Sequence, residues 1–160
     1  MVKRTKSKYH PRSIRSIDDL RAAACTMTYE HRMFIASARV LMNRPPRATD
    51  QMSVLIGNMA LESSLIHARN LRDFFSPNGR KDDILARDFV SPLPRIALPY
   101  LRNKSTDRRL NRLLAHPSYS RTKLVGKWDI STLCREVEAA WQSFLRRLED
   151  QKPGLRKLFQ

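Results

Sequence analysis

The stretch "MSVLIGNMALESSLIHARNLRDFF", residues 52–75, decides how this chain is built. Met52, Leu55, Ile56, Met59, Leu61, Leu65, Ile66, Leu71, Phe74 and Phe75 make it apolar on nearly every side. The spacing predicts a helix over 50–75 with Thr49 as its cap, and a helix that is hydrophobic all round belongs at the centre of a bundle. Yet its second half carries Glu62, His67, Arg69, Asn70 and Asp73. Glu62, Ile66, Arg69 and Asp73 continue the stripe of Met52, Leu55 and Met59, whereas His67 and Asn70 continue that of Ile56, Ala60 and Ser63. Polar groups on buried stripes need partners. Two readings follow: a hydrogen-bonded network that sets helix register, or the lining of a polar cleft.

Upstream, Leu20, Ala24, Met27, His31, Phe34, Ala38 and Leu41 step by four and three, which is one face of a helix over 17–42. Ser16 can cap it, with Asp18 and Asp19 suiting the positive end of the dipole. Pro45 and Pro46 stop it. His31 on this stripe reads as a core histidine with one hydrogen-bond partner rather than a catalytic group.

Downstream, residues 76–104 read as irregular, with a short helix in "DDILARDF" and a proline-rich loop, "SPLPRIALP", crossing the bundle. A third substantial helix is expected over 105–115, with Leu110, Leu113 and Leu114 inward. Arg109, Arg112 and His116 are spaced three and four, so they share another face. Pro117 places His116 at or just past the end of that helix. After the connection "SYSRTKLVGKW", a last helix over 130–149 has Asp129 as cap and a core face of Leu133, Val137, Ala140, Trp141, Phe144 and Leu148. The expectation is an all-α protein, a bundle of four to five helices. It is organised as a basic flexible arm (1–15), the bundle (16–152) and a C-terminal tail (153–160).

Composition narrows the function classes. The formal charge is +16 over 160 residues, which favours a polyanionic partner, nucleic acid before an acidic membrane surface. No run of about 18 apolar residues is present to span a membrane. No apolar segment follows the basic start, so no secretory signal is expected. Cys25 and Cys134, distant and on helical patterns, read as small buried hydrophobes of a cytoplasmic protein. No Cys-x-x-Cys, no His pair at helical spacing and no glycine-rich phosphate loop occurs, so neither a metal nor a cofactor is expected.

What remains is arginine, four histidines and isolated polar groups. That set suits metal-independent RNA cleavage, in which the ribose 2′-OH attacks its own phosphate. The reaction needs a base, a proton for the leaving oxygen, and fixed positive charge at phosphorus. Arginine's planar fork matches phosphate oxygens, and histidine titrates near neutrality. His116 is therefore the candidate acid or base, with Arg109 and Arg112 holding phosphate. Arg108, Asn111 and Arg121 are candidate RNA contacts, and Tyr119 a supporting group. Lys3, Arg4, Lys6 and Lys8 of the arm add sequence-independent phosphate attraction.

"LESSLIHARNLRDFF" (61–75) and "LNRLLAHPSYSR" (110–121), following an amphipathic first helix, resemble the HEPN superfamily, close to its abortive-infection branch. The likeness covers about residues 20 to 150. It implies an up-and-down helical bundle that dimerises. It also implies a metal-independent ribonuclease of the kind found in toxin–antitoxin and anti-phage systems, with an antitoxin or other protein partner. The hallmark of the superfamily is an Arg and a polar residue followed, a few residues on, by a His near a helix end, paired copies forming one composite site. Here Leu110 follows Arg109 and Asn111 comes one place later, so Arg109 and Arg112 both stand for the motif arginine. The alternative is a non-catalytic module of the same fold that binds RNA or a protein through its basic surface. Dimerisation is expected through the 50–75 helix and the motif helix, because so few helices can hardly cover an all-round apolar one.

Overall fold

The computed structural model describes residues 14–44, 50–111 and 128–160, and the backbone of 112–115. Among them there are six α-helices and no strand: α1 (Ile17–Met42), α2 (Gln51–Phe74), α3 (Ala86–Phe89), α4 (Lys104–Ala115), α5 (Ile130–Gln151) and α6 (Pro153–Arg156), with a final 3-10 turn over Lys157–Phe159. The protein is all-α, and the long helices start and stop where local chemistry dictates. At α1 a full capping box forms: Ser16 Oγ accepts from the Asp19 amide at 3.1 Å, and the Asp19 carboxylate accepts from the Ser16 amide at 3.2 Å. Asp129 caps α5 by accepting from the Thr132 amide at 2.9 Å, and these bonds hold its carboxyl down to about 2. For α2 the cap is Asp50, not Thr49: its carboxylate accepts from the Ser53 amide at 2.8 Å. An ionised oxygen at this position also meets the positive end of the helix dipole, which a hydroxyl does less well.

Helices α1 and α2 form an antiparallel hairpin. Arg44 lies against Gly57, Ser64 Oγ donates to Ser37 Oγ at 3.0 Å, and Glu30 reaches His67 and Asn70, so one helix rises as the other falls. Their contact is built from small residues: Ala24 and Ala38 on α1; Gly57, Ala60, Ser64 and Ala68 on α2, all buried. Small side chains let the two backbones approach closely, and α5 then closes over α1 and the far end of α2. There Phe74, Phe75, Phe89, Trp141, Phe144 and Phe159 pack edge-on or tilted at centroid distances between 5.0 and 6.5 Å. The loop between α2 and α4 is tied down from α5, where Glu136 accepts from the Tyr100 and Leu101 amides at 2.7 and 3.2 Å.

Three expectations change. The Met52–Leu55–Met59 stripe of α2 is not buried: Met52 is 64% exposed, Leu55 51% and Met59 62%, and Val54, Ile56 and Ile66 are exposed as well. The reason is geometric. Within the described residues, the aromatic core gathers around the C-terminal half of α2, while Gly57 and Ser64 meet Arg44 and Ser37 at the other end of α1. Glu62 and Asp73, which continue the same stripe, therefore sit in solvent, and Arg69 is half-buried. Secondly, the C-terminal tail, residues 153–160, adds to the core, with Leu155 and Phe159 buried. Thirdly, Cys25 is exposed on α1 and Cys134 is half-buried, its thiol pushed up by burial and by the charge of Glu138.

Candidate functional site

Helix α4 is held by its first two turns. Asn103 starts it, accepting from the Ser105 amide at 2.8 Å. Thr106 and Leu110 are buried beneath it. Between them Asp107 accepts from Arg72 of α2 at 2.5 Å and from Asn111, one turn on, at 3.2 Å. Arg72 also grips Asp73, at 3.0 Å through Nε and 2.9 Å through a terminal nitrogen. A planar guanidinium shared between two carboxylates fixes the orientation of α4 on α2. Asn111, a candidate RNA contact, is thus tied to Asp107 within the helix.

The arginines of α4 separate by position. Arg108 is exposed. Arg109 is half-buried, with its guanidinium 4.1 Å from the centroid of the Trp128 ring. The guanidinium is held over the ring by cation–π attraction, and its Nε is buried. Arg112 lies on the described backbone of α4, with its side chain outside the described residues. His116, Tyr119, Arg121, Lys3, Arg4, Lys6 and Lys8 also lie outside the described residues.

Among the described residues, His67, Asn70, Arg69 and Asp73 of α2 do not form one network. They divide into two clusters. In the first, one oxygen of Glu30, on α1, meets His67 Nδ1 at 2.7 Å and accepts from Asn70 Nδ2 at 2.8 Å. The side chains of Glu30 and His67 are only 14% and 12% exposed. Tyr29 presents its ring edge-on to the imidazole, with centroids 5.8 Å apart. In the second, Arg69 stands 3.9 Å from Asp73, which Arg72 links onward to α4.

His31 is a core residue, as its place on the apolar stripe implies. Its ring stacks on Trp141 at 4.4 Å, within 5° of parallel, and its Nε2 meets Glu138 of α5. Burial pushes its imidazole below the ordinary value of 6.5, although Glu138 pulls the other way.

Glu30, Arg72, Asp107 and Trp128 are the groups that sequence reasoning missed. Asp107 and Arg72 are 35 residues apart, and Glu30 and His67 are 37 apart, so no local spacing signals either pair. Among the described residues no group of three or more His, Cys, Asp or Glu side chains is placed to hold a metal ion. No described helix is long and apolar enough to cross a membrane. Comparisons with protein-family models, curated proteins and solved structures find no match for this chain.

Proposed function

We propose that this chain is a metal-independent endoribonuclease of HEPN type, acting as a homodimer on RNA in the cytoplasm. The observation that carries this reading is the mounting of α4. It is a basic helix locked to the bundle through Asp107 and Arg72, with Arg108 exposed and Arg109 stacked on Trp128. A rigid helix that presents arginines can hold a phosphate at a fixed distance from a reacting group, which is what a pentacoordinate transition state requires. The charge of +16 supports a polyanionic substrate. His116, which follows Ala115 in the sequence, is the proposed acid or base, with Arg109 and Arg112 on the phosphate.

The exposed apolar face supports self-association. Met52, Leu55, Met59 and Ile66 lie on one stripe about 21 Å long at 1.5 Å rise per residue, with Ile56 alongside. Val40 and Met42, near the end of α1, are exposed as well. Such a face is what a second copy of the hairpin would cover. A toxin or anti-phage role, restrained by an antitoxin, belongs to the same proposal.

The test is incubation of the purified protein with mixed RNA in EDTA. Cleavage leaving 2′,3′-cyclic phosphate ends is expected, and a substrate with a 2′-deoxy sugar at the scissile position should survive. His116→Ala should slow cleavage by about a hundredfold or more. Arg109→Lys should also lose activity, since an ammonium cannot make a two-pronged phosphate contact. Protein that binds RNA but never cuts it would replace this reading with a non-catalytic RNA-binding module.

A further inference from the structure

The final 3-10 turn packs against α1, and a pocket of about 580 Å³ stays open between the start of α1 and the C-terminal segment. Its floor is aliphatic: Leu20 and Leu155 are buried, Leu158 is half-buried, and Ile17 is exposed at the edge. Its charged side chains are Arg15, Arg21 and Lys152, and no carboxylate lines it. Arg21 pairs with Asp18 in solvent at 3.0 Å, and the Lys152 ammonium has no partner among the described residues. A smaller cavity of about 230 Å³ shares Arg15 and Leu20 but is lined by Asp19, Asp82, Asp83 and Asp88. Acidic groups are thus close at hand, yet stay out of the larger pocket.

Gly154 also lines this pocket, and a Cβ added there would meet nothing within 4 Å. Neither a close approach nor a left-handed backbone requires glycine at this helical position, where alanine would favour the helix. Glycine leaves space at the pocket wall that a side chain would take up. Ligand pockets of proteins run to roughly 300–1,000 Å³, mostly apolar, with a few charged groups that fix orientation. An aliphatic floor suits a hydrocarbon chain, and cations without a facing carboxylate suit an anionic head.

We infer that this pocket binds an amphiphilic monoanion, an aliphatic chain ending in a carboxylate. The chain lies along Leu20, Leu155 and Leu158, and the carboxylate meets Lys152 and Arg21. None of the lining residues belongs to α4, so the ligand does not depend on the ribonuclease reading. A molecule seated here touches both α1 and the C-terminal segment, which stabilises the folded bundle by mass action.

The full-length protein is titrated calorimetrically with sodium decanoate. Decanol, which lacks the charge, acetate, which lacks the chain, and a peptide of leucine and glutamate are run beside it. One decanoate per chain is expected, with decanol weaker and acetate not bound at the same concentrations. At a hundredfold excess over the dissociation constant, Tm should rise by roughly 5–10 °C. Ile17→Glu places a carboxylate at the pocket edge and should weaken decanoate binding by about tenfold, the scale of one close like-charge contact. An acid in the first turn of α1 suits the helix dipole, so the fold should be kept. Lys152→Glu, at an exposed position, carries the same expectation and decides the matter if Ile17→Glu does not fold. Wild type that takes up no decanoate overturns the inference, as does binding that both variants leave unchanged, which would belong elsewhere on the surface. Decanol binding as tightly as decanoate removes the role of the cations. Binding of the peptide alone makes the pocket a protein contact and ends the amphiphile assignment.

Discussion

Met59→Glu is the sharpest test of how the hairpin is used. Met59 is 62% exposed in the single chain and sits mid-way along the stripe from Met52 to Ile66. In an isolated chain the change places a charge where there is already water, so monomer stability should move by no more than about 0.5 kcal/mol. In a dimer that covers this face the consequences differ. Full burial of a methionine side chain is worth roughly 1.5–3 kcal/mol, and somewhat more than half of that is still to be gained at this exposure. A two-fold interface contains the residue twice, so the lost burial alone comes to about 3 kcal/mol, or about a hundredfold in the dimerisation constant. Desolvating two carboxylates adds to this. Sedimentation equilibrium should show wild type dimerising in the micromolar range and Met59→Glu remaining monomeric, with superimposable far-ultraviolet circular dichroism. Wild type that stays monomeric at about 100 µM, well above a micromolar dissociation constant, would refute the assignment of this face to a second copy.

Three further outcomes are expected. RNA affinity should fall about a thousandfold between roughly 50 and 200 mM salt if about six phosphates are contacted, and deletion of residues 1–15 should lower that slope without unfolding the bundle; a flat response in a filter-binding titration would remove the electrostatic reading. His31 has a depressed folded-state pKa, so the unfolded chain binds more protons between that value and 6.5. Stability is therefore full above 6.5 and is lost as pH falls towards the folded value, and His31→Gln should flatten the dependence of Tm on pH in that window. Phe144 is fully buried, with Phe74 and Phe159 both at 5.2 Å; Phe144→Ala should cost about 3–5 kcal/mol in urea denaturation, and a cost below about 1 kcal/mol would contradict the packing.

How much of the site was legible depends on the range of the interactions involved. Asn70 and His67 are three residues apart on one helix, so their shared face could be read directly. The group that unites them, Glu30, lies on another helix among other polar residues of similar appearance. Likewise Arg109 was visible as part of a basic face, but its stacking on Trp128 arises from a residue beyond α4. Asn111 was named as a candidate RNA contact, and the structure adds its hydrogen bond to Asp107, one turn earlier on the same helix, which Arg72 also holds.

The sequence by itself determined that the chain is all-α, and it set the limits of α1 and α5 almost to the residue. Capping, proline and the 3.6-residue period act within one or two turns and need no partner element. Only the tertiary structure decided which side of α2 is inside. A helix apolar on every side contains no preference in its own pattern. The choice fell to Gly57, Ala60, Ser64 and Ala68, because backbones approach most closely where side chains are smallest. The larger Met52, Leu55 and Met59 were left facing water, since the aromatic core closes over the other end of the helix.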